Sequence, residues 1–286
     1  MTQNEYLLAS YAALRAHEKS VEDDTRALLL LLLWRLRQSL LASLPDTGLS
    51  RQLLLEQLLR PFALELQTYS ETYLAVLLVQ LEAVDSTHAQ RAAIYAGLQL
   101  TARDYRPRRG TDLLRTTRSG GLTLLEQFTP SLITGQSPYT AAHLRAIRTK
   151  ILSALLRNDP TIEIARTLVA ERTRNGYIQP INSRGTLYSA LRNRDTALTS
   201  NAIWEVSGYA ERTIFERQKY LTTRLPSTPT RPIFAAGGWQ WNAILDPKTC
   251  PICRPLNGLI HPRFSDFPYI PPVHPRCRCR LLPVDE

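Results

Sequence analysis

All four cysteines of the chain fall within its last forty residues, in two tight clusters with a histidine beside the second. The first cluster is Cys250-Pro-Ile-Cys253, a C-x-x-C pair. The second is His274-Pro-Arg-Cys277-Arg-Cys279, in which His274 and Cys277 repeat the spacing as H-x-x-C. Each knuckle presents two ligands on one side of the backbone, so two of them about twenty residues apart can close a tetrahedral zinc site. A tail of this size with a few short strands buries little surface of its own, and domains below roughly 40 residues usually need a metal, disulfides or a partner. The clusters therefore predict a small, zinc-stapled β module at the C-terminus.

Five candidate ligands compete for four places: Cys250, Cys253, His274, Cys277 and Cys279. The first knuckle supplies Cys250 and Cys253, and spacing leaves open which two of the other three complete the set. An all-protein set leaves no open coordination position, so the expected role is structural. Arg276, Arg278 and Arg280 stand between and beside the ligands, where they would partly offset thiolate charge. The competing readings are disulfide pairing and reduced, packed thiols.

Upstream the pattern is helical. Apolar residues recur at helical spacing from Asn4 to Ser43, Arg51 to Leu59, Phe62 to Val84, and Ser86 to Arg103, with Pro61 expected to interrupt. Pro45 to Gly48 reads as a turn, with Ser50 capping the helix that follows it. Further helices are expected at Leu122 to Phe128, Tyr139 to Arg157 and Pro160 to Arg174. A loop is expected at Asn175 to Gly185, then a long helix from Thr186 to Leu225 with a break near Asn193. Composition changes at Pro226: twelve of the nineteen prolines lie from there onward. Strands are expected at Trp239 to Ile244, Leu259 to His261 and Arg278 to Val284. The fold class is mainly α: a multi-helix N-terminal body followed by the β module. By composition the chain divides into a helical region, 1–135, a second helical region, 136–225, and a proline-rich arm with the Cys/His module, 226–286.

The formal charge of +10 favours an acidic partner. Its densest positive stretch holds Arg103, Arg106, Arg108, Arg109, Arg115 and Arg118, opposed only by Asp104 and Asp112. These are the candidate contacts to a phosphate backbone or an acidic protein surface; the alternative is a solvated loop of locally paired arginines. The greasiest run, Ala27 to Trp34, is too short for a bilayer span of roughly 20 residues, so no membrane anchor is expected. The opening residues lack a secretory signal, which favours a cytoplasmic site of synthesis and metal over disulfides. No Gly-rich phosphate loop, H-E-x-x-H or G-x-S-x-G occurs, and His17, His88 and His143 sit alone on helical stretches.

The tail resembles the C-terminal signature of the phage Mu protein F-like family of minor head, or head morphogenesis, proteins. The matching residues are Asp246, Thr249, Cys250, Cys253, Leu256, Gly258, then Pro271, Pro272, His274, Pro275, Cys277, Arg278, Cys279 and Leu281. Arg192 to Ala202 is similar to the family's arginine- and threonine-rich helix, departing from it where Asp195 separates Arg194 from Thr196. The family-like region is expected over about residues 140–286. The resemblance implies a minor capsid protein of a tailed phage, associated with the portal protein and other head or scaffold proteins. It would aid head assembly or the packaging and delivery of DNA, passing from the host cytoplasm to the interior of the virion head. Some family members carry an enzymatic toxin domain beyond the module; this sequence ends at Glu286 without one, so the expected role is non-enzymatic.

Two rival readings come from other classes. A sequence-tolerant DNA-binding protein with a zinc module suits the charge, though no recognition helix follows the knuckles. A metal-dependent nuclease would need an acid or base at a vacant metal position, for which Asp246, Asp266 and His261 are the residues near in sequence.

Overall fold

The structure is a computed structural model that describes residues 3–44, 51–98, 100, 105–119, 121–168, 170–172, 178–180, 186–224, 238–243, 245, 249–274 and 277–284. It is mainly helical, with a small C-terminal sheet. In chain order the helices are α1 (Gln3–Ser43), α2 (Arg51–Tyr95), α3 (Thr111–Thr116), α4 (Leu124–Phe128), α5 (Pro138–Leu156), α6 (Thr161–Leu168) and α7 (Leu187–Arg224). The strands are β1 (Arg118–Ser119), β2 (Leu122–Thr123), β3 (Ala170–Arg172), β4 (Ile178–Pro180), β5 (Gly238–Asn242), β6 (Ile260–His261) and β7 (Arg280–Val284). They group into two compact units. One is drawn from Met1–Lys19, Leu78–Thr123 and Ala197–Glu286, the other from Ser20–Leu77 and Leu124–Thr196.

In the second unit, α2 runs unbroken through Pro61, against the expected interruption. Pro61 removes a backbone donor and crowds the preceding turn, a cost of about 3 kcal/mol inside a helix. On the same helix Leu55, Leu59, Phe62, Leu66, Tyr69, Tyr73 and Leu77 are all buried in one three-and-four spaced stripe, while Pro61 faces solvent. Each buried side chain of that size contributes roughly 1.5–3 kcal/mol, so the stripe outweighs the proline. Nor does a new helix begin at Ser86: α2 continues to Tyr95, and the helix expected to reach Arg103 stops there. Its end is a Schellman motif, with Leu98 N–H donating to Ala93 O at 2.8 Å, Gly97 N–H donating to Ile94 O at 3.2 Å, and Gly97 at φ 68.

The other helix expectations shift in smaller ways. Leu122 and Thr123 pair with Arg118 and Ser119 as a hairpin, so only Leu124 to Phe128 is helical there. α5 is capped by Ser137, whose Oγ accepts from Thr140 N–H at 3.1 Å, with Pro138 opening the first turn. α6 ends at Leu168, and Ala170 to Arg172 pair antiparallel with Ile178 to Pro180, a strand inside the expected loop. The antiparallel ladder gives these backbone groups the partners a longer helix would have supplied. α7 is continuous through Asn193. The turn expected at Pro45 to Gly48, the Ser50 cap and the proline-rich arm lie outside the described residues.

One side chain organises the second unit. Asp195 on α7 accepts from Tyr69 Oη at 2.7 Å and Tyr139 Oη at 2.6 Å, and His143 Nε2 lies 2.9 Å from its Oδ1. Its backbone carbonyl accepts from Tyr73 Oη at 2.9 Å. Burial and the Asp195 charge push the Tyr69 and Tyr139 hydroxyls well above their ordinary pKa, which keeps both as donors.

The first unit holds the sheet, in strand order β6-β5-β7, all antiparallel. β5 alternates, placing Trp239 and Trp241 in the core and Gln240 outward. β6 can approach because residue 238 is glycine: a Cβ there would stand 2.6 Å from the His261 carbonyl oxygen. The sheet does not form a core of its own. Trp239, Trp241, Leu281 and Leu282 share one buried cluster with Tyr6 of α1, Ala89, Ala92 and Ala93 of α2, and Ile214 and Phe215 of α7. The expected strands are present, but as part of a helix-and-sheet core rather than a free-standing module.

Candidate metal centre

The first knuckle follows β5 directly. Its turn is tied to the strand by Ala243 N–H, which donates to Asn257 Oδ1 at 2.8 Å, and by Gly258 N–H, which donates to Trp241 O at 2.8 Å. Within the turn, Cys253 N–H donates to Cys250 Sγ at 3.2 Å and Arg254 N–H to Cys250 O at 3.1 Å. The second knuckle precedes β7, and Cys277 N–H donates to His274 O at 3.0 Å. The β5–β7 ladder brings the two knuckles together, because Trp241 is in register with Leu281 and Asn242 with Arg280.

The five candidate ligands form two overlapping groups: Cys250 with Cys253 and His274, and Cys253 with Cys277 and Cys279. In each group the ligand atoms lie within 4.8 Å of one another. Cys253 Sγ is 3.3 Å from His274 Nε2 and 3.8 Å from Cys277 Sγ. Two thiolates bound tetrahedrally to zinc at about 2.3 Å stand about 3.8 Å apart, so the spacing fits such an ion. All four cysteines are free, and 3.8 Å is far beyond a disulfide bond. This cluster can hold a metal ion.

The thiols do not behave alike. A hydrogen bond from the Cys279 thiol holds Cys277 down at about 5, against the opposing effect of burial. Burial, with the Cys277 charge beside it, pushes Cys253 up to about 12. Cys279 rises further because it donates to Cys277 and is buried. Cys250 is lowered, because N–H groups of its own turn and the Cys253 thiol, with His274 nearby, outweigh its slight desolvation. Packed thiolates in this space repel one another, and a cation relieves what shared protons relieve otherwise.

Arg280, expected to balance thiolate charge, points elsewhere. It forms a buried ion pair with Glu211, and its guanidinium donates to Ser207 Oγ at 3.1 Å and lies 5.0 Å from the Trp204 ring centroid. His88 Nδ1 lies 2.9 Å from Glu211 Oε1. Burial would raise the Glu211 carboxyl, but Arg280 and His88 hold it at about 2. Burial lowers His88 from its ordinary value more than Glu211 raises it. This network joins α2, α7 and β7, and sequence reading missed it. The available signal was a charged residue on an otherwise apolar helical face, Glu211 between Ala210 and Ile214.

The arginine stretch separates into two kinds. Arg108 is committed to the interior: it bonds Asp85 Oδ1 at 2.9 and 3.1 Å and stacks 3.8 Å over Tyr209. Arg106, Arg109, Arg115 and Arg118 are exposed, and Arg103 lies outside the described residues. Of the nuclease candidates, Asp246 also lies outside them. Asp266 is exposed on a short 3-10 turn and His261 packs edge-on to Phe267. Among the described residues no carboxylate joins either metal-capable group.

Residues 174–282 match the family model of Phage Mu protein F like protein. The match covers the chain's resemblance in both its parts, the knuckles and the Arg192 to Ala202 helix. No curated protein and no solved structure matches the chain. In the Mu F-like region the signature positions have visible structural roles: Leu256 and Leu281 enter the shared core, and Pro271 is buried beside His274. Asp246 and Pro275 lie outside the described residues.

Proposed function

We propose that the chain is a head morphogenesis protein, a minor capsid component of a tailed phage, with a structural zinc in its Mu F-like region. The match over residues 174–282 carries this reading. The Cys/His cluster supports it by supplying ligands of the right type and separation. A bound zinc would neutralise the thiolates and fix the two knuckles against β5 and β7; the remaining stabilisation comes from the chain itself. In this reading the protein works without enzymatic activity at the portal vertex, inside the head, and meets the portal, other head proteins and packaged DNA. The exposed Arg106, Arg109, Arg115 and Arg118 suit an acidic surface or a phosphate backbone. They also favour the second reading, a sequence-tolerant DNA-binding protein.

Elemental analysis of protein purified without added metal, paired with a thiol count, tests the zinc. One zinc per chain is expected, with thiols that react only after chelation; reactive thiols and no metal would remove the zinc assignment. Immunoblotting of purified phage heads tests the capsid role. A few copies per particle are expected, and their absence from heads that assemble normally would defeat it. Salt-sensitive binding to duplex DNA in the absence of any head protein would favour the second reading.

A further inference from the structure

A cleft of about 580 Å³ opens beside His274, within the first compact unit, a volume in the range of roughly 300–1,000 Å³ typical of ligand sites. Its lining is polar at Arg118, Asn201, Glu205 and Arg212 and apolar along the proline-bearing run of residues 270–273. Arg212 is half-buried; its guanidinium lies 5.9 Å from the Phe264 ring centroid, and among the described residues it makes no direct hydrogen bond or ion pair. Burial lowers its pKa from the ordinary value, against the opposing pull of Glu211, Glu205 and Glu216. The nearest carboxylate in the cleft, Glu205, already accepts the Arg118 backbone N–H. Burial raises Glu205 to about 7, which weakens its repulsion of an incoming anion near neutral pH.

We propose that this cleft receives an acidic peptide segment of a partner protein, a carboxylate seating on Arg212 and Arg118 and apolar neighbours packing on residues 270–273. The guanidinium forks suit a carboxylate bidentately. The apolar, prolyl wall suits a peptide rather than nucleic acid, because no Phe, Tyr or Trp lines the cleft to stack a base and the His274 ring is a candidate metal ligand. Arginine clusters reading acidic motifs are a recurrent mode of peptide recognition. The site goes beyond the head-assembly reading and is tested separately from it, on the purified full chain.

The probe is an acetylated tetrapeptide alternating leucine and glutamate, titrated by calorimetry, with inorganic phosphate and a short DNA duplex as parallel arms. The peptide is expected to bind, with affinity falling at least about tenfold in Arg212→Gln and Arg118→Gln. Arg212→Lys, which keeps charge but loses the fork, is expected to fall between, and Arg109→Gln, outside the cleft, to leave binding unchanged. Arg118 is exposed, so its variant keeps the test open even if Arg212→Gln does not fold. No peptide binding by the wild-type chain, or binding indifferent to both cleft arginines, would overturn the proposal. So would a duplex or phosphate response that Arg212→Gln removes while the peptide fails to bind.

Discussion

At the scale of single residues, stability rests on a few buried polar groups with several partners each. Asp195 is the clearest, since two tyrosine hydroxyls and a histidine depend on its carboxylate. Asp195→Ala strands those donors and should cost about 3–5 kcal/mol in urea unfolding, whereas Tyr69→Phe should cost about 1–2. Glu211 and His88 set a dependence on acidity. Both bind a proton less readily folded than unfolded, so acidification favours the unfolded chain. The His88 contribution is complete above its ordinary value of 6.5 and fades below it; that of Glu211 is complete above 4.5 and is lost from there down to about 2. Thermal melts should therefore fall progressively below about pH 6.5. Glu211→Gln should be destabilised at pH 7 by about 3–5 kcal/mol, leaving Arg280 buried and unpaired, and its acid limb should be flatter.

At the scale of elements, local punctuation lost to long-range burial. Pro61 and Ser86 are proper breaking signals, yet the apolar stripe of α2 holds one phase through both. Pro61→Ala should thus stabilise the chain, by up to about 3 kcal/mol, read as a raised denaturation midpoint at constant slope. Gly97→Ala should cost about 1–2 kcal/mol: its Cβ meets nothing within 4 Å, and the left-handed backbone alone penalises it. The helices and the three tail strands were legible because periodicity reports burial. The β3–β4 pair was not, being three residues per strand and lacking alternation. Leu122 and Thr123, expected to open a helix, pair as a strand instead, two residues being too few for alternation to show. In the tail, ligand spacing announced the cluster; the partner of Arg280, sixty-nine positions earlier in the chain, left no local trace.

At the scale of the whole molecule, the knuckles are attached to the helices through a shared core. Cys253, Cys277 and Cys279 belong to the same buried cluster as Tyr6, Ala92 and Phe215. If the cluster holds a metal, as proposed, removing it by chelation or by Cys253→Ser should loosen more than the tail. Amide exchange should accelerate in the 89–96 and 210–215 helical segments as well as in β5 and β7. Exchange confined to the tail would mean that the helices hold their part of the core alone.

The interleaving of the two units bears on how the chain is made. The first unit joins Met1–Lys19 to Leu281 and Leu282 of β7, far apart in sequence. A ribosome releases the N-terminal strip of that core long before the sheet it packs against exists. Tyr6 can stack on Tyr95 once α2 is made, but the part of that core supplied by Leu281 and Leu282 is missing until β7 is made. A nascent chain stalled before β7 would carry that core incomplete, which makes chaperone capture during synthesis the natural fate of an interrupted product.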